Sequence, residues 1–248
     1  MKSIAALLTA CAITFLSRPA RLCGQSISDV VTSSAPKIQV GGFMDYVTSA
    51  RVYPASRDQD PSIKITYNDF GAFFSYGGDV RLDLSPTSAV GIIVQPVSTS
   101  ESIGTIYGYN SSGTYVGIPV RDGFSLWLLE ANGYFSIPVV QNQWNIYLGG
   151  GPDICLGKRD LSIGAAVANS PLSVTAGIQV AMGVSYMFEK DLGLRWEFKF
   201  RSPEFNTTST FQSAYTDYNG LRVALPQTQY GKVNVDGTNF TLEAFYEF

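Results

Sequence analysis

The chain has 248 residues, of which 15% are charged and 13% aromatic, with 24 glycines and no histidine. Those proportions suit one all-β folding unit better than two packed domains, and the 20 acidic against 17 basic side chains argue against nucleic acid as a partner, because its phosphates attract basic faces. Without histidine, the usual general base of hydrolytic and acyl-transfer sites is missing.

At the N-terminal end, Met1-Lys2-Ser3 is followed by an apolar run from Ile4 to Leu16 and then by "SRPARLCGQS". A basic start, a short greasy segment and small residues near a cut after Gly24 predict a secretory signal peptide over residues 1–24. The run is too short to span hydrocarbon as a helix. "LTAC", ending at Cys11, resembles a lipoprotein box, but "AITFL" prolongs the apolar run beyond it. Losing Lys2, Arg18 and Arg21 leaves 14 cations against 20 acids, a formal charge of −6. Only Cys155 then survives, so no disulfide framework is expected. Residues 25–36 read as an N-terminal periplasmic segment, and 37–248 as the folded unit.

From there the chain alternates with period two. Between Phe70 and Leu84 the even positions are mostly apolar, while the odd ones are mostly small or charged, among them Asp79, Arg81 and Asp83. From Leu172 to Phe188 the even positions are all apolar, and the odd ones are largely Ser, Thr, Gly and Gln. Successive strand side chains point to opposite faces, so each segment is a strand between an apolar and a polar environment. Eight are predicted: Ile38–Tyr46, Phe70–Leu84, Ala89–Val97, Phe124–Ile137, Trp144–Leu156, Leu172–Phe188, Leu192–Phe200 and Asn239–Phe248. The connections "SPTS", "PVVQNQ" and "EKDLG" are tight, and those over 47–69, 98–123, 157–171 and 201–238 are long. Strict short and long alternation is the pattern of an antiparallel up-and-down eight-stranded transmembrane β-barrel, with turns on the periplasmic side and loops outside. A soluble calyx also alternates, with its apolar face inward, and the alternation alone leaves both open.

The last strand separates them. Phe240, Leu242, Ala244, Tyr246 and Phe248 form one apolar stripe with no polar tail after it. With "IYLGGGPDI" (Ile146 to Ile154) and "GVSYMFEKDLGLRWEFKF" (Gly183 to Phe200), this stripe resembles the small outer-membrane β-barrel family related to the OmpA membrane domain. The resemblance spans nearly all of 37–248. It implies a bacterial outer-membrane location, periplasmic N- and C-termini, and a barrel-assembly machinery that reads Tyr246 and Phe248 as its signal. It implies little about function, because the family's members do different things. No peptidoglycan-binding domain is expected after the last strand.

On this reading Phe135, Trp144, Tyr186 and Phe188, with Tyr246 and Phe248, make an aromatic girdle at the short turns, and Tyr46, Phe74, Tyr76 and Trp127 an outer one. The other stripe brings Asp45, Asp79, Arg81, Asp83, Glu130, Asp153, Arg195, Glu197, Lys199, Arg201, Glu243 and Glu247 inward or to the rims. Eight strands leave room for side chains and little else. Charges of both signs in that space are expected to pair, giving a plugged core and not an open pore. Phe124, Leu126 and Leu128 break the pattern by making both faces of their strand apolar, as a bulge or a local apolar plug would.

Sharper chemistry fails on spacing. "GPDICLGK" (Gly151 to Lys158) has glycines one residue too far apart for a phosphate loop, and Arg159 stands where a hydroxyl is needed. Clustered carboxylates read as salt-bridge partners before a glycosidase pair or a metal site. Cys155 has no histidine to activate it. No cofactor or metal is expected. Membrane lipid and the assembly machinery are the expected partners, and the extracellular ligand is unknown. The Tyr-, Asn- and Ser-rich stretches Thr105–Gly123 and Phe205–Gly237, the first with a hairpin through "NSSG", read as solvated loops or as adaptable contact surfaces. Three functions follow: a non-enzymatic barrel that supports the envelope or binds through its loops, a narrow channel for small solutes, and an enzyme using carboxylates alone.

Overall fold

The structure, a computed structural model, describes residues 36–138, 144–235 and 237–248. The signal-peptide and periplasmic-segment expectations therefore fall almost entirely outside the described residues. Eight long strands follow in order: β1 (Ile38–Val47), β2 (Phe73–Ser85), β3 (Ser88–Tyr109), β4 (Tyr115–Pro138), β5 (Trp144–Arg159), β6 (Ser173–Met187), β7 (Leu192–Arg201) and β8 (Gly237–Glu247). Each pairs antiparallel with its sequence neighbours, and β1 closes on β8 through Gln39↔Glu247 to Val47↔Asn239. The result is a closed, up-and-down, eight-stranded antiparallel β-barrel with no free edge along its wall.

The period-two pattern sets the two faces. On β6, Ile178 is 80% exposed and its neighbour Gln179 only 2%. Val40, Met44, Val80, Ile92, Leu148, Trp196 and Leu242 are exposed in the same way around the ring, while Asp45, Asp79, Glu130, Arg195, Lys199 and Glu243 are buried. A surface so continuously apolar far exceeds the patches that water-facing monomers tolerate. The arrangement is the inverse of a calyx.

Several boundaries differ from the sequence reading. Phe70, expected on the outward stripe, precedes β2; its amide donates to the carbonyl of Ala50 and its ring is buried against Phe124. Strands β3 and β4 run far past their expected ends, as one hairpin that turns at Asn110–Gly113. There the Asn110 side chain accepts from the amides of Ser112 and Thr114 at 3.1 and 2.9 Å. The stretch 205–237 is also largely strand. Glu204–Thr210, Thr228–Asn234, Arg51–Tyr53 and Asn68–Asp69 form a four-stranded sheet, and Tyr215–Tyr218 pairs with Leu221–Ala224. The last pair turns through Asn219-Gly220, both with positive φ (50° and 77°), the backbone that a two-residue type I′ hairpin requires.

Two apolar clusters stiffen the end of the barrel that carries the long connections. Val47, Val97, Phe124, Leu126, Leu128 and Cys155 from the barrel wall pack with Val52, Phe205 and Val233 from the four-stranded sheet. No register shift interrupts β4 between Phe124 and Leu128, so of the two explanations for the apolar triplet the cluster holds and the bulge does not. Further out, Ile118, Leu161, Ile163, Phe211, Leu221 and Leu225 form a second core.

The facing carries a test at adjacent positions of β6. Ile178→Arg places a charge in the middle of the apolar belt and is expected to cost about 2–4 kcal/mol of folding stability in lipid, read from urea titration of vesicle-refolded protein. Ile178→Ala is expected to lose far less, and equal losses for the two variants would contradict the facing.

Candidate functional site

Inward side chains of β1, β2, β3, β4, β5, β7 and β8 meet in two linked ion-pair clusters. In the first, nearer the short turns, Arg81 on β2 binds Glu197 of β7 across the barrel and Asp79 on its own strand. Arg195 on β7 donates to Glu243 of β8 at 2.6 Å, lies 3.3 Å from Asp79 and bonds the Gln39 carbonyl. The Tyr147 hydroxyl donates to Glu197 at 2.7 Å, and the Arg81 guanidinium stacks 3.9 Å from the Tyr134 ring centroid. Glycine at position 41 makes this packing possible, because a Cβ there would fall 1.9 Å from Glu243 Oε1.

The second cluster is organised by Arg201. One Nη donates to Glu130 at 2.7 Å and to the Gln95 carbonyl at 2.8 Å; the other donates to Asp45 at 2.8 Å. Asp45 also accepts from Gln95, Asn239 and Thr241 at 2.7–2.9 Å. Lys199 joins the two clusters, 3.2 Å from Glu197 and 3.6 Å from Glu130.

Of the sequence-derived residues, Asp79, Arg81, Glu130, Arg195, Glu197, Lys199 and Glu243 thus come together. Asp153 is buried directly across from Glu130 in the β4–β5 register, and neither of its carboxylate oxygens has a hydrogen-bond partner. Asp83 lies at the short-turn rim, half-buried, accepting from Gln39 at 3.2 Å. Phe135, Trp144 and Phe188 are exposed at that rim with Tyr186 half-buried, and the Trp144 and Tyr186 rings pack at 4.6 Å. Tyr246 and Phe248 are exposed beside one another, with ring centroids 4.8 Å apart.

Sequence reasoning passed over Gln95, Asn132, Tyr134, Tyr147, Asn239 and Thr241, all buried in the network. Parity was the available signal, since each shares its strand's inward phase with a charged or buried neighbour. It also passed over Arg159, which forms a bidentate pair with Asp122 at 2.8 and 2.7 Å, reinforced by Asn68 at 3.0 Å. Both lie on continuations of β4 and β5 beyond the expected strand ends. Cys155 is buried in the apolar cluster. Among the described residues no three metal-ligating side chains converge.

A ring of eight antiparallel strands, apolar outside and ionic within, is the eight-stranded transmembrane β-barrel fold of outer-membrane proteins. No protein-family model matches the chain, and no curated protein sequence does. Among solved structures, the outer membrane protein OprG from Pseudomonas aeruginosa superposes with a TM-score of 0.55 at 11% identity, over 86% of this chain and 95% of that one. The N-terminal β-barrel domain of Pseudomonas aeruginosa OprF matches over 86% and 97% (TM-score 0.40, 7% identity). The attachment invasion locus protein Ail of Yersinia pestis matches over 86% and 98% (TM-score 0.41, 12% identity). At 11% identity the likeness to OprG establishes the fold alone.

Because Arg201 pairs with two buried acids on different strands, Arg201→Met leaves Asp45 without its ion-pair partner and Glu130 with Lys199 alone. The substitution is expected to cost about 3–5 kcal/mol in vesicle-refolded protein, and Arg201→Met combined with Asp45→Asn to cost less than the sum of the single changes. Strict additivity in urea unfolding would mean that the two groups act independently.

Proposed function

We propose that the chain is a non-enzymatic outer-membrane protein whose interior is closed and whose activity lies in its folded rim. Residues 1–24 direct export, and 37–248 form the membrane barrel. Both barrel ends of the chain and the short turns face the periplasm, and the long hairpins face outward. Tyr246 and Phe248 serve as the assembly signal, and Phe135, Trp144, Tyr186 and Phe188 as the periplasmic girdle.

The observation that carries the closed interior is the succession of two obstacles along the barrel axis. The ion-pair clusters of Arg81, Arg195, Lys199 and Arg201 occupy the middle. Above them, the cluster of Val47, Phe124, Leu126, Phe205 and Val233 excludes water. Buried guanidinium–carboxylate pairs with bonds to several strands favour bracing over conduction, since a permeant ion would compete with partners already in place. For catalysis, no base of near-neutral pKa is offered by histidine, and Asp45, Asp79, Glu130, Glu197 and Glu243 are each held by an arginine. The rim, by contrast, has its own cores and pairs two hairpins through Asn110 Nδ2 and the Asn219 carbonyl at 3.0 Å. A rigid surface of that kind suits binding.

Two measurements test this reading. Unheated protein in SDS should migrate as a compact species that shifts on boiling, because a closed sheet has no edge from which to unravel; identical mobility before and after would contradict a membrane barrel. In planar bilayers the same protein should give no stepwise conductance. Stable single-channel steps from unmodified protein would replace the closed interior with a narrow solute channel.

A further inference from the structure

The outer face of the long β3–β4 hairpin carries a feature that a closed barrel does not use. A register shift between Ser102 and Gly104 inserts Ile103 as an extra residue. Before it, the even-numbered residues of β3 face outward, as exposed Ile92, Val94 and Ser98 do. After it the odd-numbered ones do, and Thr105, Tyr107 and Tyr109 line up with Pro119, Gly117 and Tyr115 of β4. The three tyrosines are 62%, 71% and 60% exposed. Tyr107 and Tyr115 stack with centroids 5.3 Å apart and planes within 2°, and Tyr109 tilts against Tyr115, also at 5.3 Å. The Tyr107 ring lies over Gly117, where a Cβ would come within 2.9 Å of it.

Three observations identify the occupant. First, the segment from residue 102 to 120 contains no charged side chain, which disfavours a charged ligand. Second, the rings stand among Ser, Thr and Asn, so flat π-faces alternate with small hydrogen-bonding groups. The negative ring face attracts the positively polarised C–H face of a pyranose, and the exposed serine and threonine hydroxyls around it are placed to meet the sugar's own hydroxyls. Third, the platform continues the outward stripe that carries Trp127 and Leu129. With a rise of about 3.3 Å per residue and a tilt of about 40°, Tyr107 stands roughly 28 Å beyond the level of Pro96 and Trp127. In an outer membrane, what flanks the wall of a barrel at that height is the sugar of neighbouring glycolipids.

We infer that Tyr107, Tyr109 and Tyr115 form a stacking platform for the uncharged sugar chain of outer-leaflet lipopolysaccharide, holding the barrel within its glycolipid layer. The inference rests on the outer-membrane reading, with the hairpins outside.

The test is site-resolved nitration by tetranitromethane, read by mass spectrometry, on full-length protein refolded into two kinds of vesicle. One contains phospholipid and lipid A, and the other phospholipid and smooth lipopolysaccharide. Tyr215, exposed on a different hairpin, is the internal reference. Lipopolysaccharide is expected to slow nitration of Tyr107, Tyr109 and Tyr115 at least fivefold relative to lipid A, and that of Tyr215 less than twofold. In the double variant Tyr107→Ser, Tyr115→Ser, protection of Tyr109 should fall below twofold. Equal slowing at all four tyrosines, or none, overturns the platform, and so does undiminished Tyr109 protection in the double variant. Delipidated O-chain, at the same sugar concentration, should protect less than twofold; full protection by it would replace the membrane-anchored source with a free glycan. Boiling-dependent gel mobility in the lipid A vesicles separates the two levels. Protein that fails to insert overturns the outer-membrane reading as well, whereas inserted but unprotected protein overturns the platform alone.

Discussion

Every backbone amide and carbonyl of a sheet placed in hydrocarbon must find its partner within the protein, since each one left open costs several kcal/mol. In this chain that demand is met by the β1–β8 seam, which pairs residues some two hundred positions apart in sequence. Once the ring is closed, its radius, and with it the space available to inward side chains, follows from the strand number. The apolar outer belt, the ionic interior and the stiff rim all depend on that closure.

The interior then faces an electrostatic problem. Charges removed from water are expensive, and their mutual attraction offsets the cost only where geometry is good and the remaining donors and acceptors are met. The structure solves this with multiply bonded arginines. Arg201 reaches Asp45, Gln95 and Glu130 on three strands, and Arg195 reaches Gln39, Asp79 and Glu243 on three strands. Such cross-braces tie together strands that are not neighbours in the ring, so they fix the shape of its cross-section as well as its charge balance. Among the described residues some buried atoms stay unmet, Asp79 Oδ1, Arg195 Nε, Arg201 Nε and both oxygens of Asp153 among them.

Above the network, chemistry changes from ionic to apolar and then to aromatic. The four-stranded sheet drops Phe205 and Val233 onto the mouth of the barrel, and Asp122 with Arg159 separates this cluster from the second core around Ile118 and Leu221. Segments that are long connections in chain order are therefore packed structure with buried faces of their own. Only their outer surfaces, the tyrosine hairpin foremost, are left for partners.

Alternation in the amino-acid sequence was enough to place eight strands, their antiparallel order and the inward phase of Asp79, Arg81, Glu130, Arg195, Glu197, Lys199 and Glu243, because side-chain direction in a strand has a period of two wherever the ladder is regular. It could not tell which inward charges meet. Arg81 and Glu197 are 116 positions apart, and their contact depends on barrel radius and stagger, which no local pattern records. Nor could it locate the ends of β3 and β4, since a run of Tyr, Gly, Ser and Thr has the composition of a loop and becomes strand only when Ile118, Leu161 and Leu221 supply a core to lie against. Phe70 was misassigned for a related reason: its parity matches the outward stripe, but the strand begins after it and the ring turns in toward Phe124. The facing of Tyr107 and Tyr109 is the sharpest case. Odd positions of β3 point inward at Ile93, Gln95 and Val97, so parity alone puts both tyrosines inside; a single extra residue at Ile103 reverses the phase and turns them out, and such a bulge is set by cross-strand pairing that exists only in the folded protein.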